Sequence, residues 1–60
     1  MTRLKATRKK FKLKLREVGE RLGIAPASVH DSEKRGIQTK RAAQRYAKAF
    51  PGIDWKDLID

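Results

Sequence analysis

The stretch that decides the fold is LGIAPASVHDSEKRG, residues 22–36. An apolar helical pattern ends at Gly23, restarts after Ala25-Pro26 and stops again at Gly36. Glycine readily takes the left-handed conformation that ends a helix, and proline is tolerated at the first helical position because the amide hydrogen it lacks has no partner there. The stretch therefore predicts a short helix that begins at Ala25-Pro26, directs Val29 inward and closely follows another helix.

Four further segments show helical spacing of residues that are apolar except for Thr7 and Arg8 in the first segment. These segments are Leu4, Thr7, Arg8 and Phe11; Leu15, Val18 and Leu22; Ala43, Tyr46, Ala47 and Phe50; and Trp55, Leu58 and Ile59. Thr2, Thr39 and Asp54 are the expected N-terminal caps of the first, fourth and fifth helices, and Pro51-Gly52 is expected to end the fourth. FKLKL, residues 11–15, alternates like a strand but has no partner strand, so it is interpreted as the loop entering the second helix.

Five short helices without a sheet make the predicted class all-α, in a single domain over residues 1–60. A chain of this size buries only about 60% of the surface that its unfolded form exposes, so its core is small and a deep catalytic cleft is not expected. The chain has no cysteine, which excludes disulfides and thiolate metal sites and is compatible with a reducing cytoplasm. No apolar run approaches the roughly 20 residues needed to cross a bilayer, and the basic N-terminus lacks the apolar stretch of a signal peptide. We therefore expect a cytoplasmic protein.

Positive charge is the strongest compositional feature. Sixteen Lys and Arg face seven Asp and Glu, which gives a formal net charge of +9. Residues 1–16 hold eight of these bases and no acid, so the other 44 residues carry eight bases, seven acids and a net charge of only +1. Nucleic acid is the favoured partner for such a segment; an anionic membrane surface and a merely solvated basic tail are the alternatives.

Cations are also expected at helix starts, where the helix dipole disfavours them. Lys14 and Arg16 flank the start of the second helix, and Lys40 and Arg41 that of the fourth. A phosphate lying across a helix start would offset this cost, because free backbone amides point toward it; simple screening by solvent is the alternative. The full set of expected phosphate contacts is Lys14, Arg16, Lys34, Arg35, Thr39, Lys40 and Arg41.

Two helices joined by a short glycine-containing turn predict a helix-turn-helix over about residues 14–35, whose second helix fits the major groove of DNA. Side chains that face the bases must be small or polar. The expected base-contacting residues are Pro26, Ala27, Ser28, His30 and Asp31. Ala27 could touch a thymine methyl, Ser28 and His30 could bond base edges, and Asp31 could accept from a cytosine amino group.

From Leu4 to Ile59 the chain resembles the Cro and lambda-repressor type (XRE-type) helix-turn-helix family of phage repressors and bacterial regulators. The resemblance is carried by RLKATRKK, REVGERLGIAPASV, EKRG and RYAKAF. It implies a lambda-repressor-like fold in which the second helix spans the DNA backbone, the third contacts bases, and phosphates lie at the starts of helices two and four.

The resemblance also implies a buried ion pair, since the family often pairs an arginine of helix one with a glutamate near the end of the recognition helix, and Arg8 and Glu33 occupy the matching positions. The chain departs from the family where glutamine is frequent, because Leu15 and Pro26 stand there instead. Adenine recognition through a glutamine amide is therefore lost at position 26. Gly19 replaces a usual alanine, which keeps the helix contact close at a cost of about 1 kcal/mol in helix propensity.

Other roles are open to some of the same residues. His30 has no second histidine or cysteine with which to bind a metal, and as an alternative to contacting DNA it could simply face solvent. Ser28 and His30 point to different helix faces and do not form a hydrolase pair, so no enzymatic activity, cofactor or small-molecule ligand is expected. Trp55, Leu58 and Ile59 are either core residues or a candidate dimer surface.

These observations predict a sequence-specific regulator that binds a double-stranded DNA operator, similar to a phage or prophage Cro-like repressor in a bacterial host. A weak homodimer, or one completed on the operator, is expected. The alternatives are an antitoxin-type protein-interaction module whose Trp55 end grips a toxin, and a basic peptide that binds nucleic acid or acidic lipid without sequence preference.

Overall fold

The computed structural model describes all 60 residues as one all-helical unit. Four α-helices are followed by one turn of 3-10 helix. They are α1 (Arg3–Lys10), α2 (Leu15–Leu22), α3 (Pro26–Arg35), α4 (Lys40–Ala47) and the 3-10 helix (Trp55–Leu58). The all-α class predicted from the spacing is confirmed, with one difference: the fifth element is a 3-10 turn rather than an α-helix.

The predicted helix boundaries are met by specific backbone chemistry. The Thr2 hydroxyl accepts a hydrogen bond from the Lys5 amide at 3.3 Å, and the Thr39 hydroxyl accepts one from the Ala42 amide at 3.2 Å. Gly23 ends α2 with φ = 70°, a left-handed conformation that costs glycine little. Because these caps satisfy orphan backbone groups, helices of only eight residues can end cleanly.

The end of α4 differs from the prediction. The helix stops at Ala47 with Lys48 as its cap, and the chain then runs through a series of turns, so Pro51-Gly52 lies beyond the helix and does not end it. Ala49 and Phe50 are nevertheless almost completely buried. Apolar spacing therefore continued past the helical backbone, which explains why the pattern predicted a longer helix.

The core draws at least one buried apolar residue from every helix. Its members are Leu4, Val18, Val29, Ile37, Ala43, Tyr46, Ala49, Phe50 and Leu58. Phe11 packs its ring against Phe50 at a centroid distance of 5.4 Å, a tilted geometry typical of aromatic pairs. Leu58 is fully buried in its own chain, so of its two expected roles, core residue or dimer surface, it takes that of a core residue.

α2 and α3 pack closely against each other across the three-residue turn 23–25. Gly19 lies at their contact, and a Cβ atom built there would lie 2.5 Å from the carbonyl oxygen of Ile24. The amide of Ile24 donates to the carbonyl of Gly19 at 2.9 Å, which holds the turn against the helix. A residue without a side chain is therefore needed for this approach.

The two ends of the chain meet beside the α3–α4 connection. The side chain of Asp60 accepts hydrogen bonds from the backbone amides of Arg3 and Ile37, each at 2.9 Å. Ile37 and Ile59 form an isolated parallel bridge next to this carboxylate. Asp60 thus supplies an acid to the start of α1, which has none in its own first turn.

Candidate nucleic-acid interface

The outward side of α3 carries all five residues expected to contact bases. Pro26, Ala27, Ser28, His30 and Asp31 are exposed and are called here the outer α3 face. Val29 and Glu33, four residues apart, are buried on the opposite side. The 3.6-residue period of the helix produces this division, which leaves a broad face of small and polar side chains that covers about 200° of the helix circumference.

Asp31 on this face has a partner within the chain. Its carboxylate lies 2.9 Å from the Arg35 guanidinium one turn later, and both side chains are mostly exposed, at 60% and 73%. Exposed pairs of this kind contribute little to stability, so either group can exchange its partner for an external one at small cost. The outer α3 face therefore presents a carboxylate and a guanidinium together rather than an isolated acid.

His30 and Lys34 border a shallow surface depression beyond this face. Lys5 of α1 and Met1 line the same depression. Arg35 and the carboxylates of Glu33 and Asp60 line it as well, but Glu33 is paired with Arg8 and Asp60 accepts two backbone amides. Nowhere in the molecule do three His, Cys, Asp or Glu side chains cluster as a metal site would require. Lys5 was not among the expected contact residues.

The start of α2 is less electrically unfavourable than the sequence suggested. The Glu17 carboxylate accepts a hydrogen bond from the Lys14 amide at 2.9 Å, so an acid already sits in the first turn. Lys14 and Arg16 are exposed beside it. The amides of Leu15 and Arg16 have no acceptor within the protein, so the helix start keeps two free donors.

The start of α4 has no acid in its first turn. The amides of Lys40 and Arg41 lack acceptors within the protein, while Thr39 satisfies the amide of Ala42. The Lys40 ammonium lies 5.3 Å from the centre of the Trp55 ring, a cation–π contact that occupies it within the fold. Arg41 is exposed and has no such contact. Of the two expected phosphate contacts at this helix start, Arg41 can therefore bind a phosphate without first leaving a partner.

The Arg8–Glu33 pair implied by the resemblance is present. Arg8 donates from Nε to Glu33 Oε2 at 2.5 Å and from Nη2 to Oε1 at 3.2 Å, and its Nη1 donates to the Leu13 carbonyl at 2.9 Å. The side chains are 14% and 2% exposed. The pair fixes the end of α3 to α1 and to the loop before α2, so it supports the outer α3 face from behind.

Trp55 and Ile59, the other members of the candidate dimer surface, are half-buried. Trp55 lies against Lys40 and, at 5.9 Å, the ammonium of Lys56. Met1 is the one large apolar side chain that is exposed. The apolar end formed by the 3-10 helix is therefore mostly covered by the chain itself.

A row of exposed polar residues runs along α4, and only its first member, Arg41, was expected from the sequence. Arg41, Gln44, Arg45 and Lys48 are exposed and line one side of a groove next to the end of α3. Their spacing of i, i+3, i+4 and i+7 is the same helical signal that identified the core, applied to polar residues. Cationic periodicity in the sequence therefore indicates this row.

No helix has the length and apolar character needed to cross a membrane. Comparison of the chain with protein-family models, with curated proteins and with solved structures finds no match.

Proposed function

We propose that the protein is a sequence-specific, double-stranded DNA-binding regulator that occupies an operator. In this proposal α2 and α3 form a helix-turn-helix of the Cro and lambda-repressor type, with α3 as the recognition helix. The observation that carries it is the outer α3 face, a row of exposed small and polar side chains backed by Val29 and the Arg8–Glu33 pair. A helix about 10–12 Å across with such a face suits a major groove about 12 Å wide.

The helix starts supply the sequence-independent part of the interaction. Free amides at the starts of α2 and α4, with Arg16 and Arg41 beside them, are suited to phosphate oxygens. Lys14, Lys34, Arg35 and Thr39 are exposed and remain proposed phosphate contacts, whereas Lys40 must leave the Trp55 ring to act. Phosphate contacts set the position of the domain on the duplex, and α3 supplies the discrimination between sequences.

One copy of the domain is too small to cover a palindromic operator. Its largest extent is 23 Å, less than the roughly 34 Å that separates successive half-sites on one side of the duplex. We therefore include in the proposal a weak homodimer, or one completed on DNA, whose interface does not use Leu58. Such a protein would act as a phage- or prophage-type repressor in the cytoplasm of a bacterial host.

The exposed cations of α1 and the following loop favour a second candidate function. Lys9, Lys10 and Lys12 are all exposed and have no ion-pair partner. They suit binding to nucleic acid or anionic lipid without base recognition. This candidate predicts equal affinity for all duplexes or sedimentation with anionic vesicles.

An antitoxin-type module would instead co-purify with a protein partner.

Selection from random duplex DNA tests the proposal. The protein is used to enrich 20-base-pair duplexes over several rounds, and the enriched sequence is titrated against a scrambled duplex of equal composition. We expect the enriched sequence to bind about 10³-fold or more tightly at physiological salt. Equal affinity for the two duplexes would contradict sequence-specific binding and favour the second candidate.

A further inference from the structure

The row of cations on α4 has no partner within the chain. Arg41, Arg45 and Lys48, called here the α4 stripe, are exposed and take part in neither of the two ion pairs of the molecule. Arg41 and Arg45 are four residues apart, so their like charges repel on the helix surface. α4 contains no acid to offset them. A bound anion lying along these side chains would offset the repulsion between them.

The α4 stripe borders a continuous groove between α4 and the end of α3. Ser32, Thr39, Ala42 and Tyr46 line both halves of this groove. At its floor the hydroxyls of Ser32 and Tyr46 are 2.7 Å apart and hydrogen-bonded. This bond joins α3 to α4 directly, so the α4 stripe keeps a fixed position relative to the outer α3 face.

The length of the stripe distinguishes a polymer backbone from a small anion. Lys48, the C-terminal cap of α4, lies seven positions after Arg41, which corresponds to about 10 Å along the axis. A nucleic-acid strand carries one phosphate per about 3.4 Å of duplex axis and also winds around that axis, so its successive phosphates lie further apart than this rise. The stripe is long enough to contact two neighbouring phosphates of one strand. One phosphate ion could contact only one end of it. The groove also continues onto Arg35 of α3, on the side of Asp31.

We propose that the α4 stripe binds the phosphodiester backbone of the duplex whose bases contact α3, with Arg45 and Lys48 extending the contact beyond the start of α4. The inference rests on the proposed function and adds a second, sequence-independent surface to it. The stripe would contribute affinity and salt dependence but no discrimination between sequences.

The test compares two charge-matched double variants of the full chain. R45Q/K48Q removes two cations from the stripe, and K9Q/K10Q removes two exposed cations from the end of α1, which line none of the surface depressions. Affinities for the enriched and scrambled duplexes are measured by fluorescence anisotropy between 50 and about 200 mM KCl, the range over which counterion release changes affinity strongly. Far-UV circular dichroism establishes that each variant is folded.

We expect R45Q/K48Q to lower the slope of log affinity against log salt by about 1.8, or roughly 0.9 for each lost phosphate contact. Affinity for both duplexes should fall by the same factor, so their ratio stays unchanged. K9Q/K10Q should alter the slope much less. The substitutions relieve repulsion with Arg41 but also remove two cations that the dipole favours at the C-terminal end of α4, so the melting temperature of R45Q/K48Q should stay close to that of the parent.

Several outcomes would overturn the inference. An equal change of slope in both double variants would show only a general charge effect, and a changed ratio between the duplexes would place the stripe in base recognition. Polyglutamate serves as a probe for an acidic protein partner. If the parent bound polyglutamate and R45Q/K48Q did not, while duplex affinity was unchanged, the partner of the α4 stripe would be an acidic protein rather than DNA. If the parent protein itself shows no preference for any duplex, the proposed function fails; if the parent discriminates and R45Q/K48Q keeps its slope, only the inference fails.

Discussion

Arg8 and Glu33 are joined by two hydrogen bonds, of 2.5 and 3.2 Å, although 25 residues separate them in the sequence. Every buried side-chain nitrogen and oxygen in the molecule has a hydrogen-bond partner, and this pair contributes the most deeply buried charge. Removing one partner of such a pair leaves the other charged and unsatisfied, which typically costs about 3–5 kcal/mol. A domain of this size has a total stability of only about 3–9 kcal/mol.

We therefore expect Arg8→Ala to lower the melting temperature severely or to unfold the domain at room temperature. Lys9→Ala is the matched control, since Lys9 is adjacent, exposed and unpaired, and should change stability by less than about 0.5 kcal/mol. Replacing both partners, as in Arg8→Met with Glu33→Leu, should restore much of the loss. Equal, small shifts for Arg8→Ala and Lys9→Ala in thermal melts would show that the pair is not important for stability.

The elements of this fold were predictable because their signals are local. Thr2, Gly23, Pro26 and Thr39 each act on a backbone group within a few residues, so sequence spacing is enough to place helix ends. The 3-10 conformation of the last element was not predictable, because four residues satisfy the same apolar spacing in either helix type. What separates the two forms is packing against α4 and α1, which is not local.

The candidate interface was predicted unevenly for the same reason. Exposure of the outer α3 face follows from the periodicity of one helix. The pairing of Asp31 with Arg35 could also be found from its i, i+4 spacing. By contrast, the contact of Lys40 with Trp55 and the role of Asp60 depend on chain segments brought together by folding, and no local pattern indicates them.

Asp60 provides the second stability prediction. Its carboxylate accepts the amides of Arg3 and Ile37 and lies at the positive end of the α1 dipole. We expect Asp60→Ala to destabilise the domain by about 2 kcal/mol, the sum of two modest hydrogen bonds and the dipole term. Urea denaturation followed by circular dichroism measures the change. Glu20→Ala, which removes an exposed and unpaired carboxylate, should have almost no effect on stability. If Glu20→Ala lowered the free energy of unfolding as much as Asp60→Ala does, the effect of Asp60→Ala would come only from the change in net charge.

Two opposing effects determine the stability of a Gly19→Ala variant. Alanine is favoured over glycine in a helix by about 1 kcal/mol, but its Cβ would lie 2.5 Å from the Ile24 carbonyl oxygen. A backbone group must shift to relieve that overlap, and overpacking of this kind typically costs about 1–3 kcal/mol. We expect Gly19→Ala to be neutral to destabilising by up to about 2 kcal/mol, despite its gain in propensity. If Gly19→Ala instead stabilised the domain by about 1 kcal/mol in the same urea experiment, the turn after α2 would be able to shift away from the new Cβ atom without cost.

The last prediction separates the roles proposed for α3 and for the start of α4. His30 projects from the outer α3 face, whereas Arg41 lies beside two free amides at the start of α4. In repeated selections from random duplexes, His30→Ala should change the preferred base at one position of each half-site, because a base-edge contact carries sequence information. Arg41→Ala should leave the selected sequence unchanged, weaken all duplexes alike and reduce the salt slope by about 0.9. If instead Arg41→Ala altered the selected sequence and His30→Ala weakened every duplex equally, α4 rather than α3 would face the bases, and the assignment of the recognition helix would have to be reversed.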